Sequence, residues 1–179
     1  VNVSKFNGRP VGCGGFVNIT RSTKNLVFCG TFTAGGLEVK VADGQLTIVK
    51  EGRSRKFIEK VEQITFNGLD AAQREQNVLF VTERAVFHLT TEGLELTEIA
   101  PGIDLERDVL AHMAFNPRIS PTLQSMDARL FVDEPLGLRE QLLNRPLDQR
   151  FALDAARRLL HIDFSGLQVN APSVIAAID

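Results

Sequence analysis

The residues best suited to chemistry are the glycines of Gly12-Cys13-Gly14-Gly15, which fall between a strand-like start and a polar stretch, 17–25, able to turn as a short helix. Without a Cβ, such a backbone reaches positive φ and leaves its amides unshielded, so consecutive N–H groups can face one anion. A loop of this kind can hold a phosphate or the oxygen of a developing oxyanion. The same cluster also serves as a plain tight turn, and the residues alone leave both readings open. Position 17 is Val17, so the spacing is not G-x-G-x-x-G, and no Gly-Lys-Ser/Thr occurs; neither a dinucleotide fingerprint nor a Walker A loop is supported.

The other reactive side chains carry weaker patterns. His88, His112 and His161 are far apart, and no metal-ligand spacing links them to one another or to Cys13 and Cys29. Structural or surface roles are expected for all three, and no metal site. No G-x-S-x-G elbow supports a serine nucleophile. Lys50, Arg53, Arg55, Lys56 and Lys60 form the densest basic stretch, but Glu51, Glu59 and Glu62 are interspersed, and the chain has no Trp or Tyr for base stacking. A solvated hairpin rim is the expected reading, with no nucleic-acid partner. Glu83 sits between two apolar runs, where pairing with Arg84 explains it better than catalysis.

The elements that must position these residues are partly legible. Val1 to Ser4 alternates like a strand. Leu26 to Phe32 is a nearly continuous apolar run, the pattern of a parallel strand buried on both faces. Leu37, Val39 and Val41 alternate, Asp43-Gly44 supplies a positive-φ turn, and Leu46 and Ile48 resume the alternation, which predicts a hairpin. Phe57 to Phe66 is amphipathic but ambiguous, and Asn67-Gly68 reads as a turn closing it. The runs 78–81, 85–89 and 94–99 predict an antiparallel meander. Asp104 is placed to cap a helix from Leu105 to about Phe115, with Leu105, Val109 and Met113 on one stripe, and Asn116-Pro117 closes it. A short helix over about 136–143, a strand over 159–164 and a helix start at Asn170-Ala171-Pro172-Ser173 follow. The expectation is an α/β fold with a mixed, largely parallel sheet, antiparallel hairpins and flanking helices, truncated at both ends.

Composition bounds the rest. The 179 residues carry 20 Lys+Arg against 22 Asp+Glu, a formal charge of −2, and 44% are hydrophobic, which suits one packed globular domain and not a disordered chain. No apolar run reaches the ~18–20 residues of a membrane-spanning helix, and the N-terminus lacks the pattern of a signal peptide. Two cysteines make no disulfide framework, so a reducing cytoplasm is the expected compartment. The start at Val1, inside a strand pattern, and the stop at Asp179, two turns into a helix pattern, lead to the expectation of a segment of a longer polypeptide.

Several stretches in register resemble one family. Gly12-Cys13-Gly14-Gly15-Phe16, the run Asn25 to Phe32, Val81-Thr82-Glu83-Arg84-Ala85-Val86-Phe87, Gly93 to Glu98 and Ala100-Pro101-Gly102-Ile103-Asp104 are similar to the glutamate-dependent, family I CoA-transferases that act on acetate, propionate and 3-oxo acids. The likeness runs over roughly 1–120, and 131–179 resembles the C-terminal extension of the single-chain acetate/propionate enzymes. The resemblance implies that 1–179 is part of a C-terminal transferase domain, with a core and glycine loop over 1–130 and an extension, cut short, over 131–179.

It further implies an enzyme that moves CoA from an acyl-CoA to a short-chain carboxylate, with the thioester as substrate and no separate cofactor. In the family a glutamate attacks the thioester, forms an acyl-glutamyl anhydride and becomes a glutamyl-CoA thioester. Backbone amides of Gly14 foremost and Gly15 second would hold the oxyanion, and Gly12, Gly14 and Gly15 would line the CoA site. The nucleophilic glutamate belongs upstream of Val1, so the expected partners include the missing N-terminal part of the same polypeptide, and the chain alone is expected to be inactive. The complete enzyme is expected to be a homo-oligomer without a membrane partner. A non-catalytic binding or assembly module on the same fold remains the alternative, and a split enzyme with the glutamate on another polypeptide a third reading.

Overall fold

The computed structural model describes residues 1–166, which divide into a larger unit, Val1–Asp133, and the described part of a smaller one, Glu134–Asp179. The helix start at residue 170 lies outside the described residues.

The larger unit opens with a miniature hairpin, β1 (Lys5–Phe6) and β2 (Arg9–Pro10), followed by α1 (Phe16–Ser22) and β3 (Asn25–Cys29). Next come β4 (Thr33–Ala34), β5 (Glu38–Ala42), β6 (Gln45–Lys50), β7 (Ser54–Arg55) and α2 (Gly68–Gln73), then β8 (Asn77–Val81), β9 (Ala85–Thr90), β10 (Gly93–Ile99) and β11 (Arg118–Ser125). The main sheet has the order β11-β10-β9-β8-β3. Its outer pairs, β10 with β11 and β3 with β8, are parallel, and its inner pairs are antiparallel. The sheet is therefore mixed as expected, with parallel and antiparallel pairings in equal number.

Most local signals act as the residues dictate. Asp43 and Gly44, at φ of 53° and 73°, form the tight turn that sets the β5–β6 register. The meander is β8–β9–β10. Asn7 and Gly8, at φ of 52° and 74°, make the same kind of turn between β1 and β2, displacing the strand expected over Val1 to Ser4. That first segment is instead held by its backbone, with the Val1 amine donating to the Phe66 carbonyl and the Val1 carbonyl accepting from Thr65 and Phe66.

Three other expectations need correction. β3 is not buried on both faces: Leu26 is buried, whereas Val27, 52% exposed, and Cys29 project from the other face, which is left uncovered. Asn67-Gly68 is a helix start, with the Asn67 side-chain oxygen accepting from the amides of Leu69 and Asp70. The helix capped by Asp104 is short, a wide turn over Leu105–Val109 and a tight one over Leu110–His112. The Asp108 carbonyl, which a continuing α-helix would give to the His112 amide, accepts from Arg84 instead. Val109 and Met113 are nevertheless buried, as the stripe required.

Arg84 is the organising contact of the larger unit. Its side chain is fully buried, with the guanidinium 4.9 Å from the Phe32 ring centroid. Nε donates to Glu83 at 2.7 Å, Nη1 to Glu51 at 2.7 Å and to the Asp108 carbonyl at 2.9 Å, and Nη2 to Glu51 at 3.1 Å. The other Glu83 oxygen accepts the Phe32 amide at 2.8 Å, and Glu51 also accepts from Thr33 and from the Gly52 amide. Around this network pack Phe32, Leu46, Ala85, Phe87, Leu96 and Val109, all buried, with Phe57 stacked on Phe32. A smaller cluster of Leu26, Phe66, Ala71 and Val78 joins α2 to β3 and β8, and Phe16 of α1 packs against it.

The smaller unit contains α3 (Leu138–Leu143) and a hairpin of β12 (Phe151–Asp154) and β13 (Leu159–Ile162). Arg150, 3% exposed, donates to the carbonyls of Leu143, Arg145, Asp163 and Ser165.

Partial burial disfavours the charge on Glu51, yet hydrogen bonds from Arg84, Thr33 and the Gly52 amide, with the guanidinium charge, outweigh it and hold the carboxyl down at about 2. A depressed carboxyl stabilises the fold above its ordinary value of 4.5, and that contribution is lost as pH falls toward about 2. Urea midpoints are expected to fall across this window, and Glu51→Gln to flatten the fall; equal slopes would refute the assignment. Arg84→Ala leaves two carboxylates without their cation and is expected to cost about 3–5 kcal/mol in chemical denaturation.

Candidate functional site

The glycine loop links β2 to α1 and is fixed at both ends. Upstream, the Val11 amide donates to Ser4, and Glu62 accepts the Asn7 and Gly8 amides at 2.6 and 2.8 Å. These amide bonds, Gly8 first, hold the Glu62 carboxyl below its usual range. Downstream, the Phe16 ring lies 5.8 Å from that of Phe28, and the buried Gln76 side chain donates to the carbonyls of Thr20 and Thr23 at the end of α1. The loop is thus mounted on the core through one aromatic residue and one buried amide.

Gly12 and Gly14 lie at φ of 78° and 51°, the left-handed region that favours glycine, and Gly15 at −79° is the first cap residue of α1. The Phe16 amide closes onto the Cys13 carbonyl and Ile19 onto Gly15. The amides of Gly12, Cys13, Gly14 and Gly15 have no acceptor among the described residues, the three glycines are exposed, and nothing lies within 4 Å of a Cβ built at Gly12 or Gly14. The loop is thus exposed, and its four amides are not used in bonds within the described fold.

Most of the other candidates are engaged in structural contacts. Glu83 pairs with Arg84 as expected. His88 bonds Asn77 at 3.1 Å, the His112 ring nitrogen is 3.5 Å from Glu51, and His161 is exposed on β13. Arg53 donates to Gly35, Arg55 to Ala111, Lys56 to Thr31, and Lys50 pairs with Glu38, so four of these five cations are engaged within the larger unit. Cys13 and Cys29 are free thiols.

One feature had no sequence signal. A largely apolar cavity of about 770 Å³ lies against the sheet, with Phe28, Phe57, Phe66, Phe80, Leu89 and Leu94 in its wall. That volume suits an apolar ligand group. None of residues 12–15 lines it, and its residues are scattered over 1–115, which is why no local pattern announced it.

A mixed sheet carrying an open glycine loop ahead of a short helix defines a class of fold, and comparison with known proteins gives that class its content. No family model matches the chain. Acetate CoA-transferase YdiF of Escherichia coli O157:H7 is 53% identical over 137 residues, covering 76% of this chain and 26% of that protein. Caffeate CoA-transferase of Acetobacterium woodii is 49% identical over 143 residues, 77% of this chain and 27% of its own length. The crystal structure of the E. coli O157:H7 acyl-CoA transferase YdiF, a thioester complex with CoA, superposes with a TM-score of 0.74 at 52% identity, covering 76% of this chain and 27% of that one. Over about three quarters of its length the chain is similar to these CoA-transferases and shares the fold of the part of YdiF that it matches. It spans about a quarter of the length of the curated relatives it matches.

Gly14→Ala adds a Cβ that meets no neighbour, so its cost is backbone strain alone, about 1–2 kcal/mol by denaturation. A neutral substitution would show that the loop does not need its left-handed turn.

Proposed function

We propose that the chain is part of a short-chain acyl-CoA:carboxylate CoA-transferase, and that its glycine loop supplies backbone donors for the oxyanion of each acyl-transfer step. The single observation behind this reading is the exposed glycine loop, whose amides from Gly12 to Gly15 have no acceptor among the described residues, in a chain similar to CoA-transferases.

The chemistry follows from the thioester. A carboxylate attacking its carbonyl carbon drives negative charge onto the oxygen, and fixed N–H dipoles stabilise that charge without having to reorient. The attacking glutamate, contributed by polypeptide upstream of Val1, first forms a mixed anhydride with release of CoA thiolate. The thiolate then attacks the glutamyl carbonyl, freeing the donor acid and leaving a glutamyl-CoA thioester for the acceptor carboxylate. Gly14 is the preferred donor and Gly15 the second, with Gly12 beside them. In this reading CoA thioester is substrate and no other cofactor takes part; the whole enzyme is a cytoplasmic homo-oligomer.

The 179-residue chain alone is expected to give no exchange of CoA between acetyl-CoA and propionate. A chimera in which its matched residues replace the corresponding segment of YdiF is expected to be active, and Gly15→Pro, which removes one N–H at a φ proline tolerates, to lower its kcat by about 10²–10³-fold. Exchange by the isolated chain, or a folded but inactive chimera, would overturn the reading.

A further inference from the structure

The glycine loop stands between two elements that cannot hold it by themselves. Upstream, β1 and β2 pair through two residues each, and an isolated two-stranded hairpin is marginal in water even at greater length. Downstream, α1 has seven residues, too few to keep a helix without tertiary contacts. Backbone donors serve a reacting oxygen only where they are held in place, since a shift of about 1 Å can lower a rate on the order of 10²-fold. The mount must come from elsewhere in the chain.

One continuous segment, 62–76, reaches both flanks. At its start, Glu62 Oε1 accepts the Asn7 amide at 2.6 Å and Oε2 the Gly8 amide at 2.8 Å. Asn7 and Gly8 both lie at positive φ, which turns successive N–H groups toward one anion, and here that anion is a single carboxylate. Thr65 Oγ1 accepts the Val3 amide at 3.2 Å and shares a hydrogen bond with the Ser4 hydroxyl at 2.8 Å. At the other end, Gln76 Nε2 gives its two hydrogens to the carbonyls of Thr20 and Thr23, and Arg74 Nη1 donates to the Arg21 carbonyl at 3.2 Å. Between them Phe66 and Ala71 are buried in the smaller core cluster, so the segment is itself anchored.

We propose that Glu62 and Gln76 are positioning residues for acyl transfer, which together set where the amides of Gly12 to Gly15 stand. Glu62 fixes the turn of the hairpin that leads into the loop, and Gln76 clamps the end of the helix that leads out of it. Their bonds go to the flanks of the loop and not to residues 12–15, so neither is a catalytic residue. The assignment rests on the reading of the loop as an oxyanion donor.

Glu62→Gln is the sharpest variant, because it keeps the size of the side chain but leaves one oxygen for two amides and sets an NH₂ group against the other. In the YdiF chimera it is expected to lower kcat about 10-fold or more while the KM for acetyl-CoA stays within about twofold, the pattern of an interaction lost in the transition state. Glu59→Gln removes the same charge from an exposed neighbour and is expected to leave kcat unchanged. A kcat for Glu62→Gln equal to that of the parent chimera, a loss carried by KM alone, or an equal loss in Glu59→Gln overturns the positioning role and leaves the transferase reading standing. A second measurement does not depend on activity. In the isolated chain, ¹⁵N relaxation is expected to give the amides of Gly12, Gly14 and Gly15 order parameters of about 0.85, falling below about 0.6 in Glu62→Gln and in Gln76→Leu, with the β8–β10 amides unchanged. A loop that is already mobile in the parent chain, or equally rigid in both variants, overturns the proposal even if the chimera is active; a loop that loosens as expected in a chain whose chimera is folded but inactive keeps the mount and overturns the transferase reading instead.

Discussion

A guanidinium can occupy a hydrocarbon core only if its N–H groups find acceptors there, and much of the larger unit is arranged around that requirement at Arg84. Its partners come from distant places in the chain: Glu51 just after β6, Glu83 in the turn between β8 and β9, and Asp108 in the turns after β10. Glu83 in turn holds the Phe32 amide, so the segment leaving β3 is tied to the meander. One cation thus fixes where the hairpin, the edge strand and the helical turns meet. The Asp108 carbonyl accepts from Arg84 where the turns after Asp104 change from wide to tight.

Local geometry was legible wherever one residue type decides it. Asp43-Gly44 marked its hairpin because few residues tolerate positive φ, Asp104 marked a cap, and the meander announced itself by alternation. Asn7-Gly8 carried the same turn signal and would have revealed β1 and β2, but the flanking strands are too short to alternate visibly. β11 was hidden by Pro121 and by a largely exposed pattern that reads as loop. The run at β3 looked buried because apolar residues occupy both faces, yet burial depends on neighbours that composition does not reveal. Arg84 was the least legible of all, since a charged residue in a turn ordinarily points to solvent.

The candidate site divides in the same way. The loop at residues 12–15 was legible from glycine spacing because backbone conformation is a local property, and its donors remain unpaired in the fold. The cavity against the sheet was not, because it is assembled from side chains that approach each other only after folding. Homology then supplied what neither could, placing a conformationally permissive loop in a chain related to acyl-transfer enzymes.

Arg150 offers a contrast to Arg84. Its fork is satisfied by four main-chain oxygens, and the neighbouring Asp163 carboxylate adds its charge without bonding to the guanidinium. Peptide carbonyls do not take up protons in the range where carboxylates do. Acid that protonates Glu51 therefore removes the charge opposite Arg84 but leaves the four oxygens that hold Arg150 unchanged.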